Sequence, residues 1–328
     1  MLEKLVLSSW YGTSKWTYIF WPLMLLYRYI VKKKRSDFLA SRANAPSPVP
    51  VIIVGNITVG GTGKTPVVQA LVRYLQKQGY RPGIVSRGYG GSLNVFPHSI
   101  KPLDDSVLVG DEPYMLYHSL NVPVVIDPQR KKALEFLLGL NVDIVISDDG
   151  MQHYELPRDV EVCVLDGGRG LGNQQLLPVG PLREPLGRLD EVDFTLESSN
   201  ELTNNSFLIV PVSWVNVKTG GRIALKDFTL ADGMTAIAGI GNPDKFFNTL
   251  KELDIVCKTK AFPDHYSYEI SDLESFSGGI LMTEKDAVKI KPFARDNMWY
   301  LEIQAKMSDE FFNRFIQKIN SIKLIKNQ

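Results

Sequence analysis

The feature that most constrains the fold is a glycine-rich loop between an apolar segment and an amphipathic segment. Residues 51–54 (VIIV) are mostly β-branched and predict a buried strand, and the loop after them ends in Gly63, Lys64 and Thr65. Glycines permit the positive φ angles that turn successive N–H groups inward, and the next helix adds its positive N-terminal end. Lys64 would reach the β- and γ-phosphates, and the Thr65 hydroxyl would hold Mg²⁺. The predicted phosphate-binding loop is Thr58, Val59, Gly60, Gly61, Thr62, Gly63, Lys64 and Thr65.

The loop departs from the usual P-loop pattern at one position. That pattern has a glycine five residues before its second glycine, and Thr58 stands there in this chain. A glycine-rich turn that carries Gly-Lys-Thr by chance is the alternative interpretation. The phosphate-binding interpretation is favoured because the strand and the helix that the motif needs both flank the loop.

Length and composition describe an ordinary globular protein. The chain has 328 residues, enough for two domains with a core each, and 44% of them are apolar. A net charge of +1 gives no reason to expect a nucleic-acid partner, which would require a large basic excess. Cys163 and Cys257 lie in or near apolar strand patterns, so they predict buried thiols rather than a disulfide framework or a metal site.

An apolar, aromatic run near the N-terminus predicts contact with a membrane surface. Residues 16–27 carry no charge, and Lys32, Lys33, Lys34 and Arg35 follow them. The run is shorter than the ~20 apolar residues that a spanning helix needs. Its basic cluster follows the apolar part, whereas a signal peptide has its positive charge first. The pattern favours an interfacial segment on anionic lipid, and a helix packed on the protein body is the alternative.

Strand and helix patterns alternate after the loop and predict a parallel sheet with helices on both faces. From about Phe207 the pattern changes to a hairpin, with a turn at 219–221 and a second strand at 222–229. A second, smaller α/β unit follows, and the hairpin is a natural hinge. The predicted divisions are a membrane segment at 1–35, a P-loop nucleotide domain at 36–210 and a smaller domain at 211–328, with the hinge hairpin at 207–229.

Several polar side chains could carry chemistry, each with an ordinary alternative. Asp148 and Asp149 follow an apolar strand, where an NTPase holds Mg²⁺, although paired aspartates before glycine also form simple turns. Asp111 could be a helix cap, and His265 a lone exposed histidine. Gln152 and His153 could contact phosphate or acceptor, or be surface polars. Arg130 and Arg183 are candidates for a phosphorylated acceptor, or for surface ion pairs.

Eight ordered motifs together resemble one enzyme family. They are TVGGTGKTP (58–66), SRGYGG (86–91), GDEP (110–113), DDGMQH (148–153), GNQQLLPVGPLREP (172–185), GIGNP (239–243), FPDHY (262–266) and TEKDAVK (283–289). The combination resembles the tetraacyldisaccharide 4'-kinases, which phosphorylate the lipid A precursor. The family also carries threonine at the position of Thr58. The resemblance implies a P-loop NTPase-like α/β/α domain and a smaller α/β/α domain joined by a β-hairpin hinge, with an N-terminal membrane-associating helix.

The resemblance also implies residue roles, carried over motif by motif. It assigns Lys64 and Thr65 to phosphate and metal, and pairs Asp111 with His265 as the base system for the acceptor hydroxyl. The implied metal residues are Thr65, Asp148, Asp149 and Glu112. Lys64 and Arg87 join Asp111 and His265 as implied catalytic residues. The implied substrate residues are Gln152, His153, Arg130, Arg183 and Glu184.

The predicted function is transfer of the γ-phosphate of ATP, with Mg²⁺, to the 4'-hydroxyl of an acylated glucosamine disaccharide. The resemblance implies a peripheral enzyme on the cytoplasmic face of the inner membrane, in contact with its anionic surface. Two other classes stay open at this point, namely a membrane-associated P-loop switch or partitioning ATPase and a nucleotide-dependent carboxylating or ligating enzyme. The sequence leaves open which of Asp111 and His265 accepts the proton, the acyl-chain preference and the oligomeric state.

Overall fold

A computed structural model describes residues 2–41, 46–276 and 278–326 of the chain. Its α-helices are α1 (Leu2–Trp10), α2 (Trp21–Ser41), α3 (Lys64–Lys77), α4 (Ser106–Val109), α5 (Asp111–Leu120), α6 (Arg130–Leu138), α7 (Pro243–Glu252), α8 (Ile270–Glu274), α9 (Glu284–Ile290) and α10 (Asp309–Lys326). Short 3₁₀ helices lie at Trp16–Phe20, Leu186–Asp190, Leu225–Asp227 and Lys291–Phe293. Both cysteines are free; Cys163 is buried and Cys257 is half-buried.

The strands of the described chain form one continuous sheet. They are β1 (Val51–Gly55), β2 (Pro82–Ser86), β3 (His98–Ser99), β4 (Val124–Ile126), β5 (Ile144–Asp148), β6 (Val160–Leu165), β7 (Phe194–Ser198), β8 (Ser206–Asn216), β9 (Arg222–Ala224), β10 (Thr235–Ala238), β11 (Lys258–Ala261), β12 (Ile280–Thr283) and β13 (Met298–Met307). Their order is β11-β10-β12-β13-β8-β7-β6-β1-β5-β2-β4-β3, and β9 pairs with β8. The mixed α/β fold expected from the sequence is confirmed.

The parallel part of the sheet creates the edge on which a ligand can bind. Strand β1 lies between β5 and β6, parallel to both, and Val54 in β1 is in register with Asp148 in β5. The loop after β1 and the residues after β5 therefore meet at the same edge of the sheet. Ligands of open α/β sheets bind beyond the carboxyl ends of the strands, so this edge is where the candidate site lies.

The C-terminal helix α10 packs against the core that surrounds the glycine-rich loop. Phe311, Phe315 and Ile319 are buried in the same hydrophobic cluster as residues of α3 and β1. The ring of Phe312 stacks on Tyr74 of α3, with ring centroids 4.3 Å apart. The end of the chain thus contributes to the first core, although the sequence pattern assigned it to the second unit.

The second group of strands joins the first through a long antiparallel pair. Strand β13 pairs with β8 from Trp299 to Met307, with one register shift between Glu302 and Ile303, and is parallel to β12 on its other side. Strand β8 runs through the predicted domain boundary near residue 210, and the division into two domains stays a prediction. The hairpin exists, but its second strand is shorter than predicted: β9 ends at Ala224, because a 3₁₀ helix follows and places the Phe228 ring against Trp214.

The N-terminal segment packs partly on the protein body, which is one of the two alternatives that the sequence left open, and its contact with a membrane stays a prediction. Met24 is buried, and the Tyr27 hydroxyl donates to the carbonyl oxygen of Arg183, so one side of α2 packs on the protein body. Within the described ranges, no helix is long and apolar enough to cross a bilayer. The large apolar side chains that α2 and the preceding 3₁₀ helix leave exposed are Trp16, Tyr18, Ile19, Trp21, Leu23, Leu25, Leu26, Tyr29, Ile30 and Leu39.

Candidate active site

The glycine-rich loop has the backbone conformation that phosphate binding requires. Gly60 and Gly63 have φ angles of 109° and 88°, in a region that favours glycine. Gly63 directly precedes α3, and a Cβ atom there would lie 3.0 Å from the Phe207 ring. The amide of Val59 donates to the carbonyl oxygen of Pro181, which ties the loop to the segment before Arg183. The free N–H groups at the start of α3 and the helix dipole together favour an anion at this point.

Asp149 and two cations meet at the edge of the sheet beside this loop. Lys64 Nζ lies 3.4 Å from Asp149 Oδ1, and Arg183 Nη1 lies 3.2 Å from Asp149 Oδ2. Asp149 has a φ angle of 49°, so it forms a tight turn directly after β5. Burial opposes its ionisation, but Lys64 and Arg183 outweigh burial and lower the pKa of the Asp149 carboxyl. The carboxylate is therefore charged at neutral pH.

Asp148 is buried with one carboxylate oxygen that accepts no hydrogen bond from the described residues. Its side chain ends β5 and is 3% exposed, and the oxygen in question is Oδ1. Burial, with the nearby carboxylates of Glu112 and Asp149, raises the pKa of Asp148. A bound cation would remove this penalty and give Oδ1 a partner. The described chain holds no cluster of three or more acidic, histidine or cysteine side chains around one point. Mg²⁺ rarely needs one, because it keeps waters and binds substrate phosphates through one or two carboxylates.

Arg130 and His153 add a second polar group near Asp148. Arg130 is buried and its Nη2 donates to the carbonyl oxygen of Asp148 at 3.3 Å, whereas its Nε and Nη1 atoms have no hydrogen-bond partner among the described residues. Burial lowers the pKa of Arg130 to about 10, so the guanidinium stays charged. Burial, with the charges of Arg130 and Arg87, lowers the pKa of His153 to about 4. The His153 ring is therefore neutral at pH 7, beside donors that can receive an anion.

Asp111 and His265 lie side by side although they come from distant parts of the chain. Asp111 Oδ2 is 3.7 Å from His265 Nδ1 and 3.6 Å from the buried Nζ of Lys289. Gly110 occupies the N-cap position, and Asp111 is the first residue of α5. The alternative that Asp111 is the helix cap is therefore wrong. A Cβ atom at Gly110 would lie 2.5 Å from the carbonyl oxygen of Tyr89, which explains the glycine there.

Two lysines of α9, which the sequence did not single out, complete this group. Lys285 Nζ lies 3.5 Å from Glu112 Oε1 and 3.3 Å from His265 Nε2. Lys289 Nζ also approaches Asp286, a wholly buried carboxylate. The spacing of four residues places both lysines on one helix face, and this periodicity in the TEKDAVK motif is the signal that could have identified them.

A buried polar cluster lies behind Asp149. Gln152 Nε2 donates to Glu184 Oε1 at 2.7 Å, and Gln152 Oε1 accepts from Arg183 Nη1 at 3.3 Å. Glu184 is 1% exposed, and its other oxygen accepts from Tyr154 and Arg188. The substrate role expected for Glu184 stays a prediction, and its burial favours a supporting position. Thr65 and Arg87 flank the edge of the sheet, as the first turn of α3 and the residue after β2.

The chain resembles known proteins in both sequence and fold. A family model described as tetraacyldisaccharide-1-P 4'-kinase matches residues 16–320. The chain belongs to the tetraacyldisaccharide-1-P 4'-kinase family. As a member of that family it is a kinase, as the sequence predicted.

Relatives of the kinase match over almost their full length. A tetraacyldisaccharide 4'-kinase of Hahella chejuensis is 43% identical and covers 96% of each chain, and one of Vibrio cholerae is 40% identical over 98% of this chain and 97% of its own. The crystal structure of LpxK from Aquifex aeolicus, an "apo" form in complex with ATP, has a TM-score of 0.76 and 28% identity. It covers 92% of this chain and 99% of its own. The kinase therefore shares the fold and the length of these proteins.

Proposed function

We propose that the kinase transfers the γ-phosphate of ATP to the 4'-hydroxyl of a tetraacyldisaccharide 1-phosphate, the lipid A precursor. The observation that carries this proposal is the meeting of three groups at one edge of the sheet. These groups are the phosphate-binding loop with Lys64, the carboxylates of Asp148 and Asp149, and the Asp111–His265 pair. Family membership supports the choice of acceptor, and the named relatives act on the same class of lipid.

The chain's own residues can stabilise the transferring phosphoryl group by charge and position. Lys64 and the loop amides would hold the β- and γ-phosphates, and Arg183 beside Asp149 adds a second cation at the same place. Transition states of this kind need little covalent work from the protein, so positioning and neutralisation supply most of the catalysis.

The residues present fit a Mg²⁺ ion. Asp148 Oδ1 has no hydrogen-bond partner among the described residues, and its pKa is raised where a cation would lower it. Asp148, Asp149 and the Thr65 hydroxyl would hold the ion, with Glu112 nearby. When bound, Mg²⁺ supplies neutralisation of charge on the phosphate oxygens.

Proton removal from the acceptor hydroxyl falls to Asp111 and His265. A sugar hydroxyl is a poor nucleophile, so a carboxylate or imidazole must take its proton as the new bond to phosphorus forms. The two groups stand 3.7 Å apart, and Lys289 lies beside the same Asp111 oxygen.

The acceptor's own 1-phosphate needs a separate cationic partner. Arg130 is buried and charged, and two of its donor atoms lack partners among the described residues. We assign Arg130 and Arg87 to an anionic group of the lipid acceptor, with the neutral ring of His153 against the sugar.

Attachment to the membrane is the remaining part of the proposal. The exposed apolar side chains of α2 and the preceding 3₁₀ helix would enter the interface of the bilayer on its cytoplasmic face, and Lys32, Lys33 and Lys34 on α2 are exposed to anionic headgroups. Arg35 pairs with Glu191 on the protein body, so it contributes less to lipid than the sequence suggested.

One incubation tests the proposed reaction. Purified protein, ATP, Mg²⁺ and the disaccharide 1-phosphate lipid are combined, and mass spectrometry locates any new phosphate. We expect a single addition at the 4'-position, and little ATP hydrolysis without the lipid. ATP hydrolysis that vesicles alone stimulate, with no phosphorylated lipid, would support a membrane-dependent switch instead.

A further inference from the structure

Tyr154 lies between helix α2 and the polar cluster behind the phosphate site. Its ring is 5.5 Å from the ring of Phe38, and the guanidinium of Arg35 lies 5.6 Å from the Tyr154 ring centroid. Its hydroxyl donates to Glu184 Oε2 at 2.5 Å. Burial, with the charge of Glu184, raises the pKa of Tyr154 to about 12. The phenol is therefore protonated at neutral pH, and it serves as a hydrogen-bond donor.

Glu184 connects Tyr154 to the phosphate site through hydrogen bonds between side chains. Its other oxygen, Oε1, accepts from Gln152 at 2.7 Å, and Gln152 is also fixed by a hydrogen bond to the carbonyl oxygen of Asn56, 2.9 Å away. The Gln152 amide oxygen then accepts from Arg183, which pairs with Asp149. Every step of this path is a hydrogen bond or ion pair, and the path ends at the carboxylate that faces Lys64.

Helix α2 also contacts Arg183 directly. The Tyr27 hydroxyl donates to the backbone carbonyl oxygen of Arg183 at 3.0 Å. The backbone of Arg183 is thus held from α2 directly, and its side chain is held from Tyr154 through Glu184 and Gln152. A long arginine side chain has many rotamers, so restraints at both ends limit the positions that its guanidinium can adopt.

We propose that Tyr154 and Glu184 are positioning residues for phosphoryl transfer: they hold Gln152 and Arg183 against Asp149, and they receive part of this support from α2. The inference rests on the proposed function, and it gives α2 a role beyond membrane attachment. Neither residue belongs to the phosphate-binding loop. Their effect is exerted through Arg183, in the way that outer-shell partners orient ligands in other sites.

The test removes the Tyr154 hydroxyl and compares the effect with that of removing the Tyr80 hydroxyl. Tyr154→Phe keeps the ring against Phe38 but loses the donor to Glu184. Tyr80→Phe is the control, because the Tyr80 hydroxyl makes a similar bond, 2.6 Å long, to Asn320 in α10, away from the site. For each variant we would measure kcat, the melting temperature, and the affinity for a fluorescent ATP analogue with and without Mg²⁺.

We expect Tyr154→Phe to lower kcat by roughly tenfold and to reduce the gain in nucleotide affinity that Mg²⁺ produces, with little change in melting temperature. Tyr80→Phe should retain wild-type values of kcat and affinity. Glu184→Gln is the second variant, and the Tyr154→Phe/Glu184→Gln double variant should lose less than the product of the single losses.

Two results would overturn the inference. One is a Tyr154→Phe enzyme with wild-type kcat and Mg²⁺-dependent affinity. The other is an equal loss in Tyr154→Phe and Tyr80→Phe, which would indicate only general stabilisation. Failure of the wild-type protein to phosphorylate the lipid would instead refute the proposed function, and the nucleotide-affinity comparison would still test Tyr154.

Discussion

Asp111 Oδ2 lies between two nitrogen atoms from different elements, 3.7 Å from His265 Nδ1 and 3.6 Å from Lys289 Nζ. Asp111 begins α5 beside the phosphate-binding part of the sheet, whereas His265 lies in the loop after β11, near the opposite end of the strand order. Helix α9 packs against α5 and brings Lys289 to the same carboxylate. The distance between Asp111 and His265 therefore depends on how the elements at the two ends of the sheet pack together.

The first prediction concerns this pair. Asp111→Asn and His265→Ala should each lower kcat by about 10²- to 10⁴-fold, because each removes part of the proton acceptor. The double variant should lose little more than the worse single variant if the residues act as a unit. His98 and Asp104 form a similar pair, 2.7 Å apart, away from the site, and the same substitutions there should leave kcat unchanged. Fully multiplicative losses in the Asp111–His265 cycle would mean independent roles.

The second prediction concerns the phosphate-binding lysine. Lys64→Ala should lower kcat by about 10²- to 10³-fold, because it removes a charge from the transferring phosphoryl group. Lys77→Ala, at the exposed end of the same helix, is the control. Steady-state turnover with the lipid acceptor measures both variants. Near-normal turnover in Lys64→Ala would contradict the assignment of the loop.

The third prediction concerns the proposed membrane-contact surface of α2 and the preceding 3₁₀ helix. Ile19→Glu and Leu26→Glu should weaken co-sedimentation with anionic vesicles, since both side chains are exposed and apolar. Binding of the wild-type protein should fall as salt concentration rises, because part of it is electrostatic. Leu103→Glu is the control at a residue that is 99% exposed on another surface. Vesicle binding that survives both high salt and alkaline extraction would refute peripheral attachment.

Point substitutions are a better test here than removal of the whole segment. Deletion of residues 1–35 would remove most of the exposed apolar side chains of this surface at once. Tyr27 holds the backbone of Arg183, and Arg35 contacts Glu191, so the deletion would also disturb the site. The sequence could not reveal these contacts, because they join segments far apart in the chain.

The fourth prediction concerns stability. Arg188 is almost fully buried between Glu184 and Glu161, so Arg188→Ala would leave the buried Glu184 carboxylate without its cation and Glu161 with Arg158 alone. We expect a loss of about 3–5 kcal/mol in the free energy of unfolding, measured by urea titration. Arg222→Ala breaks a solvent-exposed arginine's pair with Glu302, and it should cost no more than about 1 kcal/mol. Equal losses in the two variants would contradict the importance of burial.

The fifth prediction concerns pH. The folded protein lowers the pKa of His153 to about 4, below its ordinary value of 6.5, so the unfolded chain binds a proton more readily. The contribution of His153 to stability is therefore fully present above pH 6.5 and is lost as the pH falls toward 4. His153→Asn, which does not titrate, should lose less stability than the wild type over this range. If the melting temperatures of the two proteins fall by the same amount between pH 7 and 4, His153 is not the source of the pH dependence of stability.

Local features of the site were predictable from the sequence, and long-range ones were not. The strand, glycines and helix around Lys64 are contiguous, and Asp148 follows a recognisable strand, so pattern alone placed both at one edge. The pairing of Asp111 with His265 came from the family resemblance, since no periodicity links them. Lys289 was missed although it is spaced helically from Lys285, because its partner Asp111 lies on another helix far along the chain.

The sequence pattern also failed where tertiary packing overrides local preference. Residues 225–229 belong to the predicted second strand of the hairpin, but the chain forms a 3₁₀ helix there and Phe228 packs on Trp214. The family resemblance implied a substrate role for Glu184, which stays a prediction, and pattern could not show that Gln152, Tyr154 and Arg188 enclose its carboxylate.

The position of α10 has a consequence for biosynthesis. Phe311, Phe315 and Ile319 fill the core that supports the phosphate-binding loop, yet a ribosome adds them long after α3 and β1. This core therefore cannot close until α10 has been synthesised. Nascent chains arrested before Asp309 should remain sensitive to protease around α3, and release of the last helix should protect them.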